Sequence, residues 1–269
     1  MADFLTTILA HKHRILAAQK DAYVTLRKKA DAAPKDTAGL FKKNISRPGQ
    51  INLIAEIKKA SPSAGVIRKD FNVEAIAKIY ADHKAAAISV LTEDKYFLGK
   101  PEDILTVTKR VNLPVLTKDF IISDGQIYEA KANGAAAVLL IVAILDDSEL
   151  GGLLNIAREF GLDCLVEVHD EKELDRAMKA GAEIIGVNNR DLKTLDVNFR
   201  TSERLIPRIP GDKVIVAESG LRTHDDIRRV KDLGAHAVLI GETFMRAKNI
   251  GGKIDEVMED SCRLTTKRL

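Results

Sequence analysis

The amino-acid sequence predicts an α/β fold, a (β/α)8 TIM barrel with an N-terminal helical extension. Two observations indicate this fold: eight short apolar runs recur after about residue 50, and amphipathic helical segments separate them. Apolar runs without polar alternation are typical of parallel strands that are buried on both faces. Eight strand–helix units suit a closed barrel, for which about 250 residues is typical, and this chain has 269.

We interpret each apolar run as one strand of the barrel. In chain order the runs read INLIAEI, AAISVLT, PVLTKDF, AAVLLIV, DCLVEVH, EIIGVNN, KVIVAES and AHAVLIG. Segments between them, such as VEAIAKIYADHKAA and EKELDRAMKAGA, space apolar residues three and four apart, as amphipathic helices do. The competing architecture is a doubly wound open sheet, which usually has fewer strands and a Gly-rich first turn. The sequence has no G-x-G-x-x-G motif and no Walker P-loop.

The first fifty residues differ from the rest. They carry ten basic and four acidic residues, and ten minus four gives a net charge of +6. Helical periodicity over residues 4–32 predicts one long helix, with an apolar stripe through Leu5, Ile8, Leu9, Ile15 and Leu16. We expect residues 1–48 to pack over one end of a barrel formed by residues 49–269. A nucleic-acid-binding arm is the alternative, but the basic residues are not interleaved with aromatic ones and form no known motif.

Composition indicates a globular protein, and its mild positive charge is only weak evidence about the ligand. Hydrophobic residues make up 45% of the chain and charged residues 30%, which is typical of a soluble α/β protein. The net charge of +3 does not require nucleic acid but would suit an anionic substrate. Cys164 and Cys262 form no CxxC or Cys/His pattern, so we expect neither a disulfide framework nor zinc.

No segment reads as a membrane span or a secretory signal. The longest apolar run, residues 135–145, is about half of the ~20 residues that a membrane helix needs. The N-terminus lacks a basic region before its apolar patch and a small-residue cleavage site. We therefore expect a cytoplasmic protein.

Polar residues interrupt the apolar runs where the predicted strands end, which is where barrels carry their reactive groups. On the first strand, alternation places Ile54, Glu56 and Lys58 on one face. The later strands end with Lys118, Glu167, Asn188, Arg190, Glu218 and Ser219. A structural ion pair would explain any one of these residues. Because five strands end this way, the pattern favours a site in which a Lys acts as general acid and a Glu as general base.

Small residues follow the seventh and eighth strands, as Ser219-Gly220 and Gly241-Glu242. Glycines at such turns let backbone N–H groups approach a phosphate, and barrels frequently build phosphate sites after these two strands. We therefore expect a phosphorylated substrate. The alternative is that the glycines only form tight turns.

The histidines are interpreted as structural. His169 and His224 lie at predicted helix starts, where Asp170 with Glu173 and Thr223 with Asp226 resemble capping boxes. The remaining histidines show no ligand spacing, so a metal site is not expected; they are His11, His13, His83 and His236.

Seven segments together closely resemble the indole-3-glycerol phosphate synthase family of tryptophan biosynthesis. They are IAEIKKASPSAG, LTEDKYFLGKPEDI, PVLTKDFIISDGQIYEAKANGA, LVEVHDEKEL, GVNNRDLKTLDVN, VAESGLRTHDDI and VLIGETFMRA, and the resemblance covers about residues 5–250. It implies a barrel with a helical extension over the active site. It also implies a carboxy-lyase without a cofactor, which converts 1-(2-carboxyphenylamino)-1-deoxyribulose 5-phosphate to indole-3-glycerol phosphate by ring closure, decarboxylation and dehydration.

The resemblance also implies roles for the residues at the strand ends. Lys118 resembles the general acid of ring closure and Glu167 the carboxylate that transfers protons. The full set of catalytic residues implied is Glu56, Lys58, Lys118, Glu167, Asn188, Glu218 and Ser219. Ser61 and Arg190 match positions near the carboxylate that is lost, and the remaining substrate-binding residues are Phe97, Phe120 and Leu139 for the aromatic ring and Gly220, Gly241 and Glu242 for the phosphate.

Position 242 departs from family members that have Ser there. A carboxylate beside a phosphate would repel it, so we expect the side chain of Glu242 to point away and only its backbone N–H to contact the ligand. Two other functions stay open from the residues: another phosphate-binding barrel, such as phosphoribosylanthranilate isomerase, or a phosphosugar-binding barrel without turnover. We expect a monomer or weak homo-oligomer that binds neither nucleic acid nor membrane.

Overall fold

Eight parallel strands close into a barrel, which confirms the predicted fold and excludes the open sheet. The structure is a computed structural model that describes residues 4–19, 22–34 and 37–258. The strands are β1 Asn52–Ile57, β2 Ala87–Leu91, β3 Val115–Lys118, β4 Ala137–Ile141, β5 Asp163–Val168, β6 Ile184–Asn188, β7 Val214–Glu218 and β8 Ala237–Ile240. Each strand pairs in parallel with its neighbours in chain order, and β1 pairs with β8 to close the barrel.

Helices precede the barrel and follow its strands. They are α1 Phe4–Gln19, α2 Tyr23–Ala32, α3 Leu40–Ile45, α4 Val73–Asp82, α5 Glu102–Arg110, α6 Asp124–Ala132, α7 Asp147–Glu159, α8 Glu171–Lys179, α9 Arg200–Leu205, α10 His224–Leu233, α11 Glu242–Met245 and α12 Ile250–Met258. Several of these helices begin just after a residue whose side chain accepts a hydrogen bond from a backbone N–H of the first turn. At α10, Thr223 and Asp226 form the complete capping box that the sequence predicted. After β1, a short antiparallel hairpin pairs Ala60–Ser61 with Gly65–Val66.

Two layers of apolar side chains form the core. Inward-facing residues such as Ile54, Leu116 and Leu165 fill the barrel, whereas outward-facing residues such as Leu53 and Ala55 pack against the helices. This alternation follows from the two-residue period of a strand. It places the side chains at alternate positions of β1 inside the barrel, where the charged groups at the strand ends meet.

The N-terminal extension contacts both ends of the barrel. The sequence indicated one long helix over one end; the structure describes α1 and α2 within that stretch, with residues 20 and 21 outside the described residues, and α3 follows. In α1, Lys12 lies 2.6 Å from the carboxylate of Asp119, just after β3. In α3, the backbone N–H of Lys42 donates to Asp163, the first residue of β5. Because α1 lies at the C-terminal ends of the strands and α3 at their N-terminal ends, the extension spans the barrel.

Some residues considered in the sequence lie outside the described residues: Asp3, Lys20, Asp21, Lys35, Asp36 and Cys262. Within the described part, Cys164 lies in β5 as a free thiol whose pKa burial raises to about 12. The longest apolar run forms β4 and a short 3-10 helix over Val142–Ile144. None of the described helices combines the length and the apolar content that crossing a membrane requires.

Phe41 tests how strongly α3 is held to the barrel. Its ring is fully buried in the barrel-interior cluster, whereas the neighbouring Leu40 is 38% exposed. Phe41→Ala should lower the free energy of unfolding by about 3–5 kcal/mol, because it leaves a cavity. The control Leu40→Ala should change it by about 0.5 kcal/mol or less. Urea denaturation measures both, and equal effects of the two substitutions would contradict the packing of α3.

Candidate active site

A partly buried lysine joins two buried carboxylates at the C-terminal ends of three strands. Lys118 ends β3, Glu167 lies in β5, and Glu218 ends β7. The Nζ atom of Lys118 lies 2.8 Å from Oε2 of Glu167 and 2.9 Å from Oε2 of Glu218. Both carboxylates are 1% exposed. Barrel closure therefore brings together three charges that are far apart in the sequence.

The first strand adds a second ion pair to the same mouth. The Nζ atom of Lys58 lies 2.6 Å from Oε2 of Glu56, so the two charges that interrupt this apolar run meet as their alternation predicted. Glycines make room for the carboxylates. A Cβ atom on Gly241 would lie 2.1 Å from Oε2 of Glu56, and one on Gly186 would lie 2.2 Å from Oε1 of Glu218. Neither position could carry a side chain without moving a carboxylate.

The clustered charges shift the pKa of each member. Burial opposes the charge of Lys118, but Glu167 and Glu218 outweigh it and raise the pKa of Lys118 well above its usual value. Burial also opposes the charge of Glu167, yet Lys118 and His169 hold its pKa well below the usual range. Burial raises the pKa of Glu218 to about 7; Lys118 opposes this shift and the charge of Glu167 adds to it. The site therefore holds one firmly ionised carboxylate and one that exchanges a proton near neutral pH.

A cavity of about 530 Å³ opens from this cluster toward the ends of β7 and β8. The predicted site residues in its lining are Glu56, Lys58, Lys118, Arg190, Glu218, Ser219, Gly220, Gly241 and Glu242. Three further cations line it that the sequence analysis did not single out: Arg222, Arg246 and Lys253. Arg222 and Arg246 follow the two glycine turns closely in sequence, which is the signal that could have identified them.

The turn after β7 shapes the end of the cavity that lies away from the strands. Ser219 and Gly220 both have positive φ, 63° and 79°. A Cβ atom on Gly220 would lie 2.6 Å from Cγ1 of Val197, so this position requires glycine for both space and conformation. Turns of this kind leave backbone N–H groups facing a concavity, where they attract anions. Together with the cations of the lining, the turn makes this end of the cavity positive.

Glu242 lies in the wall of the same cavity, and two arginines neutralise its charge. Its Oε1 atom accepts a hydrogen bond of 2.9 Å from Arg246, and its Oε2 atom lies 3.7 Å from Arg190. Partial burial acts against the anion, but Arg246, Lys58 and Arg190 lower the pKa of Glu242. That only its backbone contacts the ligand stays a prediction.

The three predicted apolar residues are not among the residues that line this cavity; they pack in the barrel interior under α1. Phe120 and Leu139 are buried in the barrel-interior cluster, and Phe97 packs against that cluster. The rings of Phe97 and Phe120 are 6.4 Å apart, and Phe4 of α1 packs edge-on against Phe120. These side chains form an apolar wall between α1 and the charged cluster.

Two other predicted residues accept hydrogen bonds from backbone N–H groups close to them in sequence. Asn188 ends β6, accepts a hydrogen bond of 2.9 Å from the backbone N–H of Arg190, and faces a neighbouring cavity of about 460 Å³. The Oγ atom of Ser61 accepts a hydrogen bond from the backbone N–H of Ala64 in the hairpin after β1. The structure therefore does not bring Asn188 or Ser61 into the lining of the larger cavity.

His169 contacts the charged cluster, so the interpretation as helix capping alone is wrong. Its Nε2 atom lies 3.3 Å from Oε1 of Glu167, and its Nδ1 atom lies 2.9 Å from Oε2 of Glu173. The predicted capping box is half formed, because Asp170 accepts from the N–H of Glu173 while Glu173 accepts from the N–H of His169. The missed signal is its position two residues after Glu167, which continues the alternation of β5 just past its end and directs both side chains to the same side.

Within the described residues, one group offers ligand atoms that could hold a metal ion: His11, Glu93 and Asp94, whose atoms lie within 4.8 Å of one another. The guanidinium of Arg14 lies 3.1 Å from Nδ1 of His11. Glu93 already accepts several backbone N–H groups from the loop after β2. These contacts make the group a link between α1 and that loop, and the absence of a metal stays a prediction.

The barrel and its mouth define a (β/α)8 enzyme with buried acid–base groups beside an anion-binding rim. The family model for indole-3-glycerol phosphate synthase matches residues 5–257. The chain belongs to the indole-3-glycerol phosphate synthase family, whose members are carboxy-lyases of tryptophan biosynthesis.

Three relatives illustrate the similarity, and each is described as indole-3-glycerol phosphate synthase. The chain is 50% identical over 223 residues to that of Acetivibrio thermocellus, covering 83% of this chain and 84% of the relative. It is 52% identical over 221 residues to that of Caldanaerobacter subterraneus, covering 82% and 85%. The relative from Acidithiobacillus ferrooxidans is 42% identical over 268 residues, covering 97% and 100%.

Solved structures support the fold. The 3-hexulose-6-phosphate synthase of Salmonella typhimurium superposes with a TM-score of 0.62 at 13% identity, covering 77% of this chain and 97% of the other. At that identity the likeness extends to the barrel architecture alone.

The raised pKa of Glu218 predicts how the free energy of unfolding depends on pH. This pKa is about 7 in the folded chain, against 4.5 for an unperturbed glutamate. The protonated carboxyl therefore stabilises the fold below pH 4.5, and this contribution is lost as the pH rises through 7. Glutamine mimics the neutral carboxyl and does not titrate. The free energy of unfolding of Glu218→Gln, relative to that of the wild type, should therefore rise by up to about 3 kcal/mol between pH 4.5 and pH 8. Urea denaturation across this range measures the difference, and a constant difference would contradict the shift.

Proposed function

We propose that the mouth of the barrel is where the chain converts 1-(2-carboxyphenylamino)-1-deoxyribulose 5-phosphate to indole-3-glycerol phosphate. The family acts in tryptophan biosynthesis on a small phosphorylated substrate. The observation that carries the proposed site is the partly buried Lys118, held between the buried carboxylates of Glu167 and Glu218, at the base of a cavity with a cationic rim. Ring closure, decarboxylation and dehydration take place in this cavity.

Ring closure uses Lys118 as general acid. The ring carbon that bears the carboxylate attacks the ketone carbon, and negative charge develops on the ketone oxygen. Lys118 transfers a proton to that oxygen and converts it to a hydroxyl. Its carboxylate neighbours keep it charged until the developing alkoxide competes for the proton. General acid catalysis of this kind is typically worth about 100- to 10,000-fold.

Decarboxylation and dehydration follow at the same place. The bond to the carboxylate breaks, carbon dioxide leaves, and its electron pair neutralises the iminium that ring closure formed. A second proton then releases the hydroxyl as water, and a base removes one proton from the adjacent carbon. Glu167 is the carboxylate that transfers protons, and Glu56, Lys58 and Asn188 assist the dehydration. Two protons are delivered and one is removed, so each turnover takes up one proton.

The two ends of the substrate bind to different walls. The phosphate lies in the turns at Gly220 and Gly241, near the cations of the rim. The aromatic ring packs against Phe97, Phe120 and Leu139. Arg190 and Ser61 lie toward the carboxylate that is lost, Ser219 lines the pocket, and Glu242 contacts the phosphate through its backbone N–H.

The organisation of the chain is part of the same proposal. Residues 1–48 form an extension packed on a single catalytic domain, residues 49–269. The reaction needs no cofactor or metal, and the chain works in the cytoplasm as a monomer or weak homo-oligomer without nucleic acid or membrane. The packing of α1 against the barrel mouth supports the first of these points.

Two substitutions separate the proton of Lys118 from its charge. Lys118→Ala should lower turnover about a hundredfold or more, because it removes the general acid. Lys118→Arg keeps a cation between the carboxylates but holds its proton too tightly to donate it, so it should be similarly slow. Indole fluorescence during turnover of the carboxyphenylamino substrate measures both rates.

The exposed Lys78, on the outer helix α4, supplies the matched control: Lys78→Ala should keep the wild-type rate. A near-normal rate for Lys118→Ala, or for the arginine variant, would remove Lys118 from the role of acid. Substrate binding without any fluorescence change in the wild type would favour a phosphosugar-binding barrel over an enzyme.

A further inference from the structure

His169 occupies a place at the site that the proposed roles leave unused. Its ring lies between two carboxylates, 3.3 Å from Glu167 on the Nε2 side and 2.9 Å from Glu173 on the Nδ1 side. Its backbone N–H also donates to the same oxygen of Glu173 at 2.8 Å. The first turn of α8 therefore holds His169 at its backbone N–H and at Nδ1 of its ring, and the other ring nitrogen faces Glu167 at the barrel mouth.

Each carboxylate oxygen of Glu167 faces a different cation. Oε2 accepts from Lys118, and Oε1 lies against the imidazole of His169. The second contact is an ion pair: within the described residues, the buried Nε2 atom has no hydrogen bond of full geometry. Glu167 itself is 1% exposed, so these two cations provide its charge balance in the described structure.

The imidazole is charged at neutral pH. Burial opposes the charge, but the carboxylates of Glu167 and Glu173 outweigh it and raise the pKa of His169 to about 10. The charged groups that surround the ring come from the barrel mouth, α8, the loop after β6 and α9. They are Glu167, Lys118, Asp170, Glu173, Asp191, Lys193, Asp196 and Arg204.

The proposed reaction removes one of the two cations from Glu167 partway through. When Lys118 gives its proton to the substrate, it becomes neutral while still in contact with Glu167 and Glu218. A buried carboxylate that loses its only cation takes up a proton instead of staying ionised. Glu167 would then be lost as a base unless a second cation remained beside it.

We propose that His169 is a positioning residue that, clamped by Glu173, fixes the orientation of Glu167 and keeps it negatively charged after Lys118 has transferred its proton. This inference rests on the proposed roles of Lys118 and Glu167. The imidazole lines the smaller cavity and not the larger one, so we assign its effect to its contact with Glu167.

His169→Gln tests the inference directly, because glutamine keeps an N–H donor but removes the charge. Turnover should fall about tenfold, the lower end of what partners that orient a functional side chain contribute. KM should stay within twofold, because the substrate cavity is intact. The acid limb of the kcat–pH profile should move to higher pH, since Glu167 takes up a proton more readily without the neighbouring cation.

Glu173→Gln tests the contact between Glu173 and His169, and it should change a different limb of the pH profile. It removes one of the carboxylates that stabilise the charged imidazole, so His169 should lose its charge at a lower pH than in the wild type. The alkaline limb of the kcat–pH profile should therefore move to lower pH, while the rate near pH 6 stays close to normal. His224→Gln is the matched control, a histidine at the start of α10 beside a complete capping box, and it should leave both limbs in place.

Thermal unfolding of each variant separates positioning from simple stability. Unchanged turnover in His169→Gln, or a fall in turnover with both limbs of the pH profile unmoved, would overturn the inference. Glu167→Gln distinguishes this failure from that of the proposed function. If Glu167→Gln is inactive while His169→Gln is normal, only the inference fails; if Glu167→Gln is fully active, the proposed role of Glu167 fails and the inference fails with it.

Discussion

The contact of Lys118 with Glu167 and Glu218 is the constraint on which the rest of the site depends. A buried charge is costly unless an opposite charge and hydrogen bonds compensate it, and here the ammonium of Lys118 compensates both carboxylates. The charges come from β3, β5 and β7, so they meet only when the barrel is closed. The same closure that forms the fold therefore assembles the charged cluster.

Two glycines, one in β6 and one just after β8, leave space inside the barrel for these carboxylates. Gly186 and Gly241 lie where any Cβ atom would touch the carboxylate of Glu218 or Glu56. Below this layer the interior is apolar, filled by residues such as Leu116 and Leu165. The polar end of the barrel is thus a separate layer, supported from below by close packing and open above to the cavity. This separation allows strong electrostatic interactions without exposing the core to water.

The sequence predicted the fold and the strand-end charges because both depend on local pattern. Eight apolar runs indicate eight strands, and a charge such as Lys118 that ends a run must lie at the barrel mouth. His169 was misread because its neighbours also fit a helix cap, and only the fold reveals that Glu173 turns toward the imidazole. The reach of the extension to both ends of the barrel depends on contacts between distant residues, such as Lys42 with Asp163. No local pattern carries that information.

The cluster contains carboxylates and the rim contains cations, and this arrangement fits a reaction in which the ligand loses one negative charge. The substrate enters with a carboxylate and a phosphate, and the product keeps only the phosphate. The rim carries cations such as Arg222 and Lys253, whose attraction grows with the negative charge of the ligand. We therefore expect it to hold the substrate more tightly than the product, and the carboxylates of the cluster to repel an anion that approaches the wrong end. On this expectation decarboxylation weakens the binding of the product, so the chemical step also favours release.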